Sequence, residues 1–295
     1  MSDYVLSCCS TVDLSAEHLK SRDISYVCFH FYINEKHYTD DLGQTLPFDE
    51  FYRLMAEGAD TRTSQVNVDE FITYFDSILA EGKDLLHVCL SSGLSGTYNS
   101  ARIAAEELRA KYPERKIYIV DSLAASSGAG LIMDTLADMR DDGKDIDTVY
   151  NWIEKNKLKM HHWFFATDLS YFVKGGRISK ASGWFGTVLN ICPLLNVDLN
   201  GRLIPRSKIR GKRMVIQKIV EKMQQHAALG AEYDGKCYMC HSACIEDAET
   251  VAAMVEAAFP KMKGKVLINS IGTTIGSHTG PGTVALFFWG DERVD

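Results

Sequence analysis

Apolar, partly β-branched runs recur through the first half of the chain at 4–9 (YVLSCC), 26–33 (YVCFHFYI), 85–90 (LLHVCL), 116–122 (KIYIVDS) and 162–169 (HWFFATDL), each of strand length. Between them the apolar positions switch to helical spacing. Phe71, Ile72, Phe75, Ile78 and Leu79 share one face, Ala101, Ala104, Ala105 and Leu108 another, and 131–139 opens a third. Strand and helix in alternation predict crossover units around a mostly parallel sheet with helices on both faces. Further along, Asn200-Gly201 stands between two alternating segments and predicts a two-residue hairpin, hence antiparallel pairing. Helices are predicted over 212–226 and 247–259, with strands at 236–244, 265–271 and 283–290 around them. The pattern therefore predicts two α/β domains: 1–162 around a parallel sheet, and 163–295 around a mixed or antiparallel sheet with helices.

With 46% hydrophobic residues in a chain of 295, a sizeable core is available and disorder is excluded. The net charge of −7 argues against a nucleic-acid partner, although Arg202, Arg206, Lys208, Arg210, Lys212 and Arg213 form a basic stretch suited to an acidic one. The first residues lack the basic and apolar regions of a signal peptide, and no apolar run approaches the roughly 20 residues of a spanning helix. A soluble cytoplasmic protein is expected, its eight cysteines reduced.

Hydroxyl-rich turns carry the candidate chemistry. SSGLSGTYNSA (91–101) places serines and glycines where a parallel strand ends and a helix begins, near Thr97. That position offers amides and hydroxyls to an anion, while Ser92 or Ser95 acting as a helix cap explains the same residues. Thr63 or Ser64, in TSQ (63–65), could cap the next helix, which starts near Val68. His278 sits among glycines and threonines in IGTTIGSHTGPG (271–282), and Arg177 follows two glycines, where a guanidinium can grip a phosphate or carboxylate. CYMCH (237–241) spells a haem or metal motif, but strand alternation sends Cys237 and Cys240 to opposite faces. No phosphate loop or dinucleotide fingerprint is present, so no cofactor is expected, and the adjacent His161 and His162 read as structural.

Taken together, TSQ (63–65), SSGLSGTYNSA (91–101), VDS (120–122), VKGGRIS (173–179), IRGKR (209–213) and HTGPGT (278–283) resemble the DegV family of bacterial fatty-acid-binding proteins, in order and spacing over essentially the whole chain. The resemblance implies a long-chain fatty acid buried between the two domains and presented to a separate fatty acid kinase, which makes the acyl phosphate. The chain would then be a lipid-binding subunit and not itself an enzyme. Thr63, Ser92 and His278 match the positions that hold the carboxylate, and Arg177 and Arg210 those that engage the kinase or the phosphoryl group. The tail is expected among Ile178, Phe185 and Leu189, and lipid exchange would involve transient contact with a membrane surface. The alternative is an enzyme forming a covalent intermediate through His278 or Ser92 on a small carbonyl or acyl substrate, as in the distantly similar dihydroxyacetone kinases; no acidic residue is spaced to orient His278. Cys8, Cys9 and Ser10 stand where relatives have Thr-Asp-Ser, Val66-Asn67 replaces Pro-Ser, and Cys192 occupies a position where lysine is frequent.

Overall fold

The computed structural model describes residues 4–179 and 190–294. Its first sheet contains β1 (Tyr4–Cys9), β2 (Ile24–Val27), β6 (Asp84–Cys89) and β7 (Ile117–Asp121), all parallel in the order β2-β1-β6-β7. Alternation along β6 explains why it is covered twice. Leu85 and Cys89 face α3 (Val68–Leu79) and α4 (Thr97–Lys111), packing with Phe71, Phe75, Ala101 and Leu108. Leu86 and Val88 point the other way, into the layer formed by α5 (Ser126–Asp141), which packs on β1, and α6 (Ile146–Asn156), which packs on β6 and β7. The short α1 (Ala16–Ser21) leads into β2. Helix α3 is capped by Asn67 in a capping box with Glu70, not by Thr63 or Ser64, which belong to a strand.

The apolar run at 26–33 is not one strand. β2 ends at Val27, and β3 (His30–Ile33) joins a separate antiparallel sheet with β4 (Lys36–Thr39) and β5 (Thr61–Ser64), in the order β4-β3-β5. The break is stabilised at Phe29, whose N–H donates to Ser10 Oγ (3.0 Å) and whose carbonyl accepts from Asp40 N (2.8 Å). Helix α2 (Phe48–Ala56) covers this small sheet through Phe51, Tyr52 and Met55 against Phe31 and Ile33.

The second domain is a six-stranded mixed sheet, β10-β9-β8-β13-β11-β12, built from β8 (Met160–Ala166), β9 (Ile191–Val197), β10 (Leu203–Arg210), β11 (Cys237–His241), β12 (Val266–Ser270) and β13 (Thr283–Trp289). Only β11 and β12 are parallel to each other. β8 belongs to this sheet from Met160 onward, so a division at 162/163 cuts through the strand. One face packs on α8 (Lys212–His226) and α9 (Ile245–Ala258); the other packs on α5. Cys237 and Cys240 do lie on opposite faces, one in each of these layers.

The β9–β10 connection is antiparallel, but its turn has three residues between Asp198 and Arg202, whose backbones pair (N to O, 2.9 Å). Gly201 takes the left-handed position at φ 69°, the geometry of a three-residue loop and not of the expected Asn-Gly two-residue turn. The loop is shaped by a neighbour: Ser91 Oγ of the first domain donates to Gly201 O (2.8 Å). Among the described residues no helix is long and apolar enough to cross a membrane.

Candidate functional site

A cavity of about 380 Å³ lies between the two large sheets, at the carboxyl end of β6, where open α/β sheets receive ligands. Its walls are mostly apolar: Leu90 and Phe29 on the first-domain side, Phe164, Ala285 and Phe287 on the inner face of the six-stranded sheet, and Phe172 on α7 (Ser170–Lys174). Helix α10 (Thr273–Thr279) crosses it and adds Ile275.

Two buried carboxylates of the first domain hold the start of α10. Asp40 accepts from Thr273 Oγ1 (2.9 Å) and Thr274 Oγ1 (2.6 Å), and Asp13 accepts from Gly272 N (2.9 Å) and Ser126 Oγ. Burial raises both carboxyls, Asp13 to about 8, against the lowering effect of these hydrogen bonds. The carbonyl of Ile271 accepts from Tyr52 OH (2.9 Å). Fixed in this way, α10 delivers His278 to the cavity wall opposite β5.

There Thr63 Oγ1 lies 2.8 Å from His278 Nε2, and Arg177 Nη1 lies 3.4 Å from His278 Nδ1. A guanidinium can only donate, so Nδ1 is the acceptor, Nε2 carries the proton, and Thr63 Oγ1 receives it. The Thr63 hydroxyl hydrogen is thereby left for a further acceptor. Burial, and then the charge of Arg177, push the His278 pKa down to about 4, so the ring is neutral at pH 7. Arg177 itself donates to the carbonyls of Leu94 and Gly175, and burial lowers its pKa. Among the described residues no carboxylate pairs with it. A half-buried cation with no counter-charge, beside a free hydroxyl donor, suits an anionic head group. Among the described residues no acidic group bonds His278, which counts against its reading as a nucleophile or base.

Arg177, Leu94 and Leu203 line both the cavity and an outer groove with Gly93, Gly176 and Arg202, so the polar end of the cavity adjoins the surface. Thr63, His278 and Arg177 thus come together. Ser92 does not join them: it is exposed, its N–H donates to Asp121 Oδ1 (3.0 Å), and Ser95, three residues further along the turn before α4, lines the wall instead. Ser95 Oγ donates to Gln65 Oε1 (3.2 Å) and accepts from Thr97 N (3.2 Å) within the turn, while the N-cap position of α4 is Gly96, so neither Ser92 nor Ser95 is the expected helix cap. Gln65 was legible in principle, since in an extended chain it shares a face with Thr63. Arg210 is exposed at the end of β10, outside the cavity lining. Ile178 is buried in the adjoining core and does not reach the wall, while Phe185 and Leu189 lie outside the described residues. His162 lines the cavity, but both its nitrogens are engaged by the backbone, accepting from Ala125 N and donating to Met160 O.

The DegV family model matches residues 9–291. A DegV domain-containing protein of Clostridium perfringens is 38% identical over 293 residues, covering 99% of both chains. Among solved structures, a Thermus thermophilus protein described by fatty acid binding of a DegV family protein superposes with a TM-score of 0.85 at 26% identity, covering 97% of this chain and 99% of that one. A Streptococcus pneumoniae fatty acid kinase B3 protein loaded with linoleic acid shares the fold at TM-score 0.83 and 20% identity, covering 99% and 100%.

Proposed function

We propose that this chain, which belongs to the DegV family, carries a long-chain fatty acid in the cavity between its sheets and presents the carboxyl group to a separate fatty acid kinase. The observation that carries this reading is the apolar cavity closed at one end by Thr63, His278 and the uncompensated Arg177. In this reading the carboxylate accepts from Thr63 Oγ1 and Arg177, with Ser95 taking the place first expected of Ser92, and the tail lies along Phe164, Phe172 and Phe287.

The energetics favour retention. At about 0.8 kcal/mol per buried methylene, roughly fifteen methylenes contribute about 12 kcal/mol before ordering costs. The head group is the difficult part, because an ionised carboxylate leaves water only if it is paired and hydrogen-bonded. The Thr63 and Arg177 donors meet that demand, and the neutral His278 holds them without adding charge. The fatty acid binding described for the Thermus protein supports this assignment.

The position of the polar end supports presentation to a kinase. Arg177 borders the outer groove, and the exposed Arg210 on β10 belongs to the basic stretch that would meet an acidic partner. The decisive experiment extracts the purified protein with organic solvent and analyses the extract by mass spectrometry. A stoichiometric long-chain fatty acid is expected; an empty cavity or a polar metabolite overturns the reading.

A further inference from the structure

Away from the lipid cavity, three metal-ligating side chains meet where β8, the end of α8 and the chain after β13 converge. His161 lies on β8, His226 is the last residue of α8, and Asp291 follows β13. Asp291 Oδ1 is 3.0 Å from His161 Nε2, which also bonds the Asp291 carbonyl oxygen (3.0 Å), and 3.2 Å from His226 Nδ1, and one ligand atom from each residue lies within 4.8 Å of the others. Imidazole nitrogens and a carboxylate oxygen bound at about 2.0–2.2 Å in a tetrahedral site stand roughly 3.4 Å apart, so the carboxylate already has ligand spacing from both rings.

The local structure is shaped for this approach. A Cβ on Gly290 would lie 2.2 Å from His226 O and 2.7 Å from His161 Cδ2, so glycine there lets the chain pass close enough to set Asp291 against a nitrogen of each ring. Asp291 N donates to His226 O (2.9 Å), and Gly290 N to Lys159 O (2.9 Å). The rings are fixed by stacking: His161 on Phe288 (5.2 Å between centroids, 3° between planes), His226 on Trp163 (5.9 Å, 15°), and the two on each other (5.0 Å, 20°). His161 is buried, while Asp291 has 59% of its side chain exposed, which leaves solvent an approach to a fourth position.

We propose that His161, His226 and Asp291 form a divalent metal site of the zinc class, with three protein ligands and an open fourth position. Two imidazoles and one carboxylate suit Zn²⁺, and ligands drawn from three separate segments would let the ion fasten them together. The tail it would fasten has reach: two residues on, Arg293 donates to Val197 O (3.4 Å), on the cavity wall, and to Leu123 O (3.1 Å) of the first domain.

The test uses the full-length protein after chelator treatment and dialysis, titrated with ZnCl₂ by calorimetry and with CoCl₂ by visible absorption. One equivalent is expected, with cobalt d–d bands, no thiolate-to-cobalt charge-transfer band, and a rise in Tm on zinc addition. Asp291→Asn and His226→Ala should each weaken binding at least about ten-fold and abolish the Tm rise, since loss of even an outer partner of a metal ligand has effects of that size; the exposed His37→Ala should change nothing. Because Asp291 is largely exposed, its variant keeps the test valid if His226→Ala fails to fold. Unchanged affinity in Asp291→Asn, a cobalt–thiolate band, or wild-type binding no tighter than that of a folded His226→Ala would reduce the cluster to a hydrogen-bonded bridge and overturn the proposal.

Discussion

Gly175 and His278 compete for one space: a Cβ at position 175 would fall 2.2 Å from His278 Nδ1. The backbone at Gly175 is ordinary (φ −74°), so the glycine is required by the neighbouring ring and not by its own conformation. Gly175→Ala is therefore expected to fold with a loss of about 1–3 kcal/mol, as overpacking does, while displacing the imidazole. Thermal melts paired with quantification of co-purified lipid check this; full lipid retention in a folded Gly175→Ala would show that His278 does not organise the head-group end.

Thr63 bonds His278 at the cavity wall, and the two roles the proposed function gives it, partner of the imidazole and donor to a carboxylate, can be separated. Thr63→Val keeps the shape but leaves His278 Nε2–H without its partner and removes a donor to the carboxylate. An unmade buried hydrogen bond is worth about 1–3 kcal/mol, so affinity should fall about 5- to 150-fold. Thr63→Ser should restore most of it. Displacement of a fluorescent fatty acid from delipidated protein measures both.

The two arginines should behave differently. Arg177 touches His278 and lines the cavity, so Arg177→Ala is expected to weaken lipid binding and acyl-phosphate formation together. Arg210 is exposed and outside the cavity lining, so Arg210→Ala should leave lipid retention intact and slow only phosphorylation by a cognate kinase. The sequence alone had placed both in partner contact. Equal effects of the two substitutions on lipid retention would contradict this division.

Asp13 gives a signature in pH. Its carboxyl binds a proton at about 8 when folded and near 3.8 when unfolded, so between these values the folded state holds the extra proton and stability falls as pH rises. The slope approaches about 1.4 kcal/mol per pH unit for one such group. His278 and His161, held by burial near 4 against the ordinary 6.5 of an imidazole, act oppositely, weakening the fold as pH drops from 6.5 toward 4. Subtracting the two stability profiles, wild type minus Asp13→Asn, isolates the Asp13 contribution: the asparagine variant should lack the decline between pH 5 and 8. Parallel profiles would mean that Asp13 is ionised in the fold.

Much of the architecture was legible from periodicity. The parallel sheet showed in runs such as 85–90, whose alternate residues serve two different helical layers, and α3, α4 and α8 began where spacing put them. The small antiparallel sheet was hidden because 26–33 is apolar except for His30, and no glycine or proline marks the point at Cys28-Phe29 where the chain leaves one sheet for another. The hairpin loop was misjudged because the Ser91–Gly201 contact is set by a residue 110 positions away. In the site, Thr63 and His278 stood out by motif, but choosing Ser95 over Ser92 depended on which side of the turn after β6 faces the cavity, a matter of three-dimensional packing.

Helix α5 packs against β1 of the first sheet and β8, β11 and β13 of the second, and one continuous core joins Leu6 and Leu86 to Leu131, Phe164, Leu195 and Phe287. Swinging the two halves apart like jaws would wet that entire interior, a penalty far above thermal fluctuation. If the cavity carries the proposed cargo, exchange proceeds through local loosening around the polar mouth with the bulk of the molecule staying shut, which makes the rate of loading a property of a few loop residues and not of domain motion.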